Sequence, residues 1–151
     1  MNVFDEFFDI VRALESEDIK YALVGGVAMA FYTEPRFTRD IDILTVADQF
    51  IKIEKVLRRF GYFESITPWE FKNIHVTLHR FFKSVEKEEM LIDILEGDSN
   101  EVKGILKRAV VAESNEGRVH LVKKDDLIGL KRLRNSTQDR ADIERLESEE
   151  D

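Results

Sequence analysis

The stretch from Tyr21 to Thr45, YALVGGVAMAFYTEPRFTRDIDILT, constrains the fold of this chain more than any other part. It begins with an apolar strand that ends at Gly25-Gly26, and it closes with Asp40-Ile41-Asp42 inside a second apolar strand. Side chains two residues apart on a β-strand point to the same face, so the two aspartates are predicted to project together while the isoleucines beside them face the core. Neighbouring carboxylates repel each other unless a cation lies between them. The stretch therefore predicts a metal and phosphate site.

The Gly25-Gly26 pair is predicted to let the backbone turn tightly and to bring bare N–H groups close to a ligand. A strand over residues 20–24 precedes the pair and a helix starts at Val27, so a triphosphate is expected at a helix N-terminus, which favours anions. The polar connection that follows carries Arg36 and Arg39, whose charges suit a polyphosphate bound through a metal. Most glycine pairs are only turns, and neither the dinucleotide-binding nor the P-loop fingerprint is present. The pair alone leaves both interpretations open.

A third acid, Asp93, lies among β-forming residues in MLIDIL at 90–95. An ionised aspartate in a central strand is costly unless it has a partner, a hydrogen-bond network or a metal. If this strand pairs beside Asp40 and Asp42, three carboxylates converge. Two histidines in a predicted strand over 73–82 are open to zinc ligation or contact with a base, although such histidines more often line a half-exposed sheet face.

Composition narrows the protein class. The chain has 151 residues, 43% hydrophobic and 36% charged, which predicts one soluble globular domain over residues 1–151. With no cysteine, any metal must be held by oxygen or imidazole. A net charge of -8 argues against broad, non-specific nucleic-acid binding. The acidic first residues lack a basic leader and the apolar runs are short, so we expect a cytoplasmic protein without a membrane segment.

Hydrophobic spacing predicts a mixed β-sheet flanked by helices, an α/β or α+β architecture. Helices are expected over residues 3–17, 50–60, 100–108 and 138–146, and one begins near Asp125-Asp126 with Lys131 on its more polar side. Gly61 is expected to end the second of these helices. Strands are expected over residues 20–24, 40–44, 62–66, 73–82, 90–95, 109–112 and 118–122, with a turn at Pro68-Trp69.

These motifs carry a family resemblance. Gly25-Gly26, Asp40-Ile41-Asp42 and the later strand acid Asp93 resemble the hGG or hGS, DhD and D signature of the nucleotidyltransferase fold, the DNA polymerase beta superfamily. RFTRDIDIL is similar to the R-x-T-x-D-h-D-h form of its small prokaryotic members, such as toxins of the AbiEii type and the aminoglycoside and lincosamide nucleotidyltransferases. The ending DDLIGLKRLRNSTQDRADIERL resembles their DLhxhK, R and DhxDhxxL helical pair. The resemblance covers roughly residues 20–146.

The resemblance implies a Mg²⁺-dependent nucleotidyltransferase that moves NMP from an NTP such as ATP to a hydroxyl on a small molecule, protein or RNA, and releases pyrophosphate. It implies Asp40, Asp42 and Asp93 as catalytic residues and as ligands of two Mg²⁺ ions, which stabilise the attacking and leaving oxygens. Asp93 would also accept the proton of the attacking hydroxyl. Six further residues are candidates for nucleotide contact: Gly25, Gly26, Arg36, Thr38, Arg39 and Lys131.

Two other functions remain open at this point. A non-catalytic member of the fold would serve as one half of a toxin–antitoxin or other two-protein complex. The mark of such a member would be a missing metal ligand, whereas all three candidate acids are present. A phosphohydrolase would use the same carboxylates on water and would release orthophosphate instead of pyrophosphate.

Overall fold

The structure is a computed structural model that describes residues 3–33 and 40–148. None of the helices in these two ranges has the length and apolar character needed to cross a bilayer. In chain order the elements are α1 (Val3–Ser16), β1 (Ala22–Val24), α2 (Gly25–Tyr32), β2 (Asp40–Thr45), α3 (Ala47–Arg59), β3 (Phe63–Glu64), β4 (Trp69–Phe71), β5 (Val76–Val85), β6 (Glu88–Glu96), α4 (Asn100–Arg108), β7 (Val110–Ser114), β8 (Gly117–Leu121), α5 (Lys124–Arg134) and α6 (Thr137–Ser148).

The eight strands form one mixed sheet in the order β3-β5-β6-β2-β1-β8-β7, and β4 also pairs with β5. At its centre β2 runs parallel to β6 and antiparallel to β1, while β5 runs antiparallel to β6. Helices contact the sheet, and α5 packs against α6 as the C-terminal pair. The predicted architecture is confirmed, and the two acid-bearing strands are direct neighbours.

The central strands separate an apolar face from a charged one. Ile41 is 5% exposed, and Ile92 and Ile94 are fully buried in the core. Asp42 and Asp93 occupy the alternating positions, so they project from the opposite face of the sheet. A register slip by one residue would exchange acids and isoleucines between the two faces, which is why the burial pattern fixes the pairing. The prediction that the isoleucines beside the acids belong to the core is confirmed.

Helix ends follow from local chemistry. Gly61 has φ +91 and ends α3, while the N–H of Tyr62 donates to the carbonyl of Leu57 at 3.0 Å, as in a Schellman motif. The predicted role of Gly61 is confirmed. At the start of α4 the Oγ of Ser99 accepts a hydrogen bond from the N–H of Val102 at 3.2 Å. Both ends therefore satisfy backbone groups that a helix leaves unpaired.

Three local features differ from the sequence-based expectations. Helix α2 begins at Gly25 instead of Val27, so the glycine pair belongs to its first turn. Trp69 lies in strand β4, where we expected a turn, because the backbone of this segment finds hydrogen-bond partners in β5. Strand β5 begins at Val76, which leaves His75 in the preceding turn with φ +54. For the two strand boundaries, pairing with a distant segment, which local periodicity does not encode, sets the limit.

The helical pair is held by a buried acid. The Oγ of Ser136 accepts from the N–H of Asp139 at 3.0 Å, and Asp139 Oδ2 accepts from the N–H of Ser136 at 3.0 Å, which is a reciprocal capping box. Arg134 donates to both oxygens of Asp139 at 2.6 and 2.7 Å. This arrangement joins the end of α5 to the start of α6.

Lys131 lies between the same two helices. Its side chain is 4% exposed, and its Nζ donates to Asp142 at 2.9 Å and lies 3.8 Å from Asp139. The side of α5 that carries Lys131 is polar, as expected, but it is buried. The reason is that α6 covers this side of α5 and supplies buried carboxylates that pair with the ammonium group.

Replacing Asp139 by asparagine is expected to lower the free energy of unfolding at about pH 7 by roughly 2 kcal/mol, since charged hydrogen bonds are lost. Burial acts to raise the pKa of Asp139, but hydrogen bonds from Arg134 and Ser136 outweigh it and hold this pKa well below its ordinary value. A depressed folded-state pKa gives stability that is present above the ordinary value of 3.8 and is lost as the pH falls below it.

Urea unfolding over a pH series measures this effect. The difference in the free energy of unfolding between wild type and Asp139→Asn should become smaller as the pH falls below about 4. Asp125→Asn, at an exposed position of α5, is the matched control and should show a much smaller difference. A gap that stays constant from neutral to acidic pH would contradict this account of Asp139.

Candidate active site

Charged side chains form one row across three neighbouring strands. Asp42 on β2 is the register partner of Asp93 on β6, and Asp93 is in turn the partner of Arg80 on β5. Because directly paired residues project from the same face of a sheet, the three side chains lie side by side. The row therefore combines two carboxylates and one guanidinium on the face opposite the buried isoleucines.

Helix α2 begins directly beside Asp42. Val24 at the end of β1 is the register partner of Asp42, so Gly25 follows at the edge of the acid. Gly25 has φ +66, and a Cβ atom added to it would lie 2.0 Å from Asp42 Oδ2. Only glycine fits this conformation and this contact. The first N–H groups of α2 lack partners within the helix, which favours an anion there.

A cavity of about 410 Å³ opens over the charged row. This volume is within the range of small-molecule sites. Its polar lining comes from Gly25, Asp42, Asn73, Arg80, Asp93, Lys131 and Arg134. Its apolar lining comes from Val24, Leu44, Trp69, Phe71, Ile74, Leu78, Leu95, Leu127, Leu130 and Leu133. Strands of the sheet centre and helix α5 thus enclose a space with a charged part and an apolar part.

The carboxylate of Asp42, which lines this cavity, has a raised pKa. Burial raises the pKa of Asp42 to about 7, and the negative charge of Asp93 adds to that effect. The positive charges of Arg134 and Lys131 lower it again in part, while Asp40 raises it. A carboxylate whose negative charge is so poorly compensated is the kind of group that a bound divalent cation stabilises.

Asp93 has a protein partner. Arg80 donates from Nε and Nη2 to the two Asp93 oxygens at 2.8 and 2.9 Å, and Asp93 is 5% exposed. The same guanidinium lies 5.8 Å from the ring centroid of Trp69. The costly buried acid therefore obtains its compensating charge from the neighbouring strand. Each oxygen of an ionised carboxylate has two lone pairs, so the arginine leaves acceptor capacity on both.

The structure pairs two of the three acids that the resemblance suggested as metal ligands. Asp42 and Asp93 are register partners, whereas Asp40 lies at the exposed start of β2 opposite Leu91. Within residues 3–33 and 40–148 no group of three carboxylate or imidazole side chains is arranged to hold a metal ion. The expected three-carboxylate centre is thus not preassembled. Asp42 and Asp93 still fit Mg²⁺ by their chemistry, since they are oxygen donors at one cavity and the Asp42 charge is only partly compensated.

The remaining candidate residues divide into three groups. Gly25 lines the cavity and Gly26 lies in the same first turn of α2. Lys131 also lines the cavity, but its ammonium group is engaged by the carboxylates of α6. The other three candidates, Arg36, Thr38 and Arg39, lie outside the described residues.

Sequence reasoning missed Arg80 and Arg134, which both line the cavity. The position of Arg80 follows from the turn between β5 and β6, where Glu86 and Lys87 have φ +47 and +71 but lack the Asn-Gly signature that would predict such a turn from sequence. A two-residue turn of this kind fixes hairpin register, and it places Arg80 opposite Asp93. Arg134 belongs to the C-terminal motif, but several arginines occur there and their spacing does not single it out.

The two histidines of the predicted strand lie in separate environments. His75 is in the turn before β5, while His79 Nδ1 lies 3.0 Å from Glu64 Oε2 and its ring stacks on Phe50 at 4.1 Å between centroids. Neither of them lines the cavity. Their separation does not support the alternative that both bind one zinc ion.

Solved structures with the same fold come from several sources. The chain is similar to a protein from Thermotoga maritima assigned as a nucleotidyltransferase, with 14% identity and a TM-score of 0.59 over 92% of this chain and 89% of that one. It is similar to ANT(2'')-Ia in complex with adenylyl-2''-tobramycin, with 14% identity and a TM-score of 0.57 over 91% and 83%. The solution structure of the antibiotic-resistance factor ANT(2'')-Ia gives 15% identity and 0.59 over 97% and 83%.

A comparison with curated proteins found no match. A comparison with protein families matched residues 6–81 to the aminoglycoside-2''-adenylyltransferase family. The match covers half of the chain, from α1 into β5, and it includes the glycine pair, Asp42 and Arg80. The chain is thus a nucleotidyltransferase and belongs to the aminoglycoside-2''-adenylyltransferase family.

Proposed function

We propose that this protein transfers the nucleoside monophosphate of an NTP to a hydroxyl acceptor in a Mg²⁺-dependent reaction. ATP is the first candidate donor because the name of the family specifies adenylyl transfer. One observation carries the proposal. Asp42 and Asp93 are register partners at one cavity, and Gly25 brings the start of α2 into contact with Asp42.

In this proposal Asp42 and Asp93 would hold Mg²⁺, with Asp40 as a further ligand. When bound, Mg²⁺ supplies positive charge that stabilises the attacking and leaving oxygens. The first turn of α2, which contains Gly25 and Gly26, would bind the phosphates through backbone N–H groups. The cations that line the cavity add to the attraction for a triphosphate.

The proposed transfer step forms one bond to the α-phosphorus and breaks another. The hydroxyl oxygen of the acceptor forms a bond to the α-phosphorus, the bond from that phosphorus to the bridging oxygen breaks, and pyrophosphate leaves with the electron pair. Asp93 would accept the hydroxyl proton on a lone pair that the two hydrogen bonds from Arg80 leave open. The guanidinium would hold the carboxylate in one orientation during the step.

Incubation with α-labelled ATP, MgCl₂ and hydroxyl compounds is expected to give a labelled acceptor and one pyrophosphate per transfer, and EDTA should abolish both. Mg-ATP at 100-fold excess over its Kd should stabilise the fold by about 2.7 kcal/mol, which thermal unfolding detects as a higher Tm. Release of orthophosphate would instead indicate a phosphohydrolase. Absence of both transfer and any Mg-ATP effect on Tm would contradict the proposal and favour a non-catalytic partner protein.

A further inference from the structure

The cavity has an apolar side that the proposed nucleotide contacts do not use. Two residues beyond the charged row, on the same face of the sheet, Leu44, Leu95 and Leu78 are consecutive register partners. Trp69 on β4 continues this row as the partner of Leu78. The apolar row therefore reaches from the sheet centre to the β4 edge and ends in an aromatic ring.

The order of the strands in the sheet determines which reactant lies against the apolar side of the cavity. Gly25 follows β1, and β1 lies on one side of the β2 and β6 acids, whereas β5 and β4 lie on the other side. In an in-line displacement the attacking and leaving oxygens are on opposite sides of the phosphorus. With the leaving pyrophosphate beside Gly25, the acceptor hydroxyl must approach over β5 and β4. That approach passes Arg80 and Trp69.

Apart from the uncharged amide of Asn73, the side chains on this approach are apolar or already neutralised. Trp69, Phe71 and Leu78 line the cavity, and the Arg80 charge is compensated by Asp93. Among the described residues that line the cavity, the carboxylates are Asp42 and Asp93 alone. Burying an ammonium group is costly without an acid to pair with it. A polycationic acceptor would find no spare carboxylate among the described residues of this lining.

From this arrangement we infer that the acceptor is an uncharged hydroxyl compound with an apolar or aromatic body, bound over β4 and β5 against Trp69. The inference rests on the proposed function, because it uses the direction of in-line transfer. The inferred acceptor differs chemically from the aminoglycoside that the name of the family specifies. The hydroxyl of such a compound would reach the α-phosphorus while its body contacts the leucine row.

Trp69 is the single tryptophan of the chain, so its fluorescence reports on this side of the cavity directly. Titration with 2-phenylethanol, excited at a wavelength that only tryptophan absorbs, is expected to change the Trp69 emission saturably. Tobramycin should need at least about tenfold higher concentration for the same change, or about 1.4 kcal/mol weaker binding. Absence of a saturable change with 2-phenylethanol, or an equal or tighter response to tobramycin, would overturn the inference.

Leu133→Glu provides a second test on a surface position that tolerates substitution. Leu133 is 47% exposed and lines the cavity at the end of α5. A carboxylate there should weaken 2-phenylethanol binding about tenfold and strengthen tobramycin binding, because it supplies the missing acid. Ile51→Glu is the matched control, since Ile51 is 56% exposed on α3 and does not line the cavity. Equal responses from the two variants would count against the inference.

The Mg-ATP effect on Tm separates the two levels of the proposal. If Mg-ATP stabilises the protein and tobramycin becomes labelled while 2-phenylethanol does not, the acceptor inference fails and the proposed function stands. If Mg-ATP has no effect on Tm and no acceptor is labelled, the proposed function fails, and the acceptor assignment fails with it. Labelling of 2-phenylethanol in preference to tobramycin supports both.

Discussion

Replacing Asp42 by asparagine is expected to lower nucleotide transfer by about 10³-fold, the size seen when charge stabilisation of a transition state is lost, and to make the protein more stable at about pH 8. The loss follows because the amide carries no negative charge for Mg²⁺. The gain follows because a poorly compensated, half-buried charge is removed. Opposite signs for activity and stability distinguish a functional carboxylate from one that holds the fold together.

The pH dependence gives the sign of the stability effect. Burial and the Asp93 charge raise the folded-state pKa of Asp42 from 3.8 to about 7. Between these two pKa values the folded protein keeps a proton on Asp42 that the unfolded chain has released. The contribution of Asp42 to the free energy of unfolding is therefore fully present below the ordinary pKa and is lost as the pH rises toward 7. Above that pH the loss lowers the free energy of unfolding of the wild type by at most about 4 kcal/mol.

Chemical unfolding at about pH 4 and pH 8, with transfer assays on the same samples, measures both effects. Asp48→Asn, on α3 and away from the cavity lining, is the matched control and should change neither by much. Addition of MgCl₂ at pH 8 should stabilise the wild type more than Asp42→Asn. A variant that keeps wild-type transfer, or that is less stable than wild type at pH 8, would rule out this role for Asp42.

Replacing Gly25 by alanine is expected to lower transfer by at least about 10²-fold, because a shift of about 1 Å in a reacting group has that cost. The new Cβ would lie 2.0 Å from Asp42 Oδ2, and the carboxylate must rotate away to make room. The backbone at φ +66 adds strain of about 1–2 kcal/mol for any residue with a side chain. The variant should therefore fold with reduced stability and a displaced ligand.

Gly129→Ala is the matched control for this change. Gly129 lies in α5 at an exposed position, and a Cβ added there would meet no atom within 4 Å. Alanine favours a helix over glycine by about 1 kcal/mol, so this variant should be as active as wild type and slightly more stable. Wild-type transfer by Gly25→Ala would show that the contact between Gly25 and Asp42 does not matter for the reaction.

Local sequence patterns predicted the parts of the fold that depend on alternation and helix ends. Ile41 beside Asp42 indicated which face of β2 is buried, and Gly61 indicated the end of α3, because both signals lie within a few residues of their effect. The burial of Lys131 depends instead on α6, whose carboxylate at Asp142 lies in a separate helix. Periodicity within α5 contains no information about that partner.

In the candidate site, too, features local in sequence were predictable, whereas features assembled from separate elements were not. The glycine pair and the two acids of β2 were recognisable because they are close in sequence and resemble a known motif. Arg80 was missed because its meaning comes from the register of the β5 and β6 hairpin, and the apolar row was missed because each strand contributes only one leucine to it. Features assembled across strands follow from sheet topology, which the sequence specifies only through the whole core.

Helix α6 contributes no side chain to the cavity lining in the described part of the chain, yet its acids pair with two cations that do line the cavity. Asp139 and Asp142 are internal counter-ions of Arg134 and Lys131, so a phosphate bound as proposed would compete with them for the same two cations. In the proposed reaction this competition limits product affinity. On this proposal, departure of pyrophosphate would return the full positive charge of both cations to the two carboxylates before the next turnover.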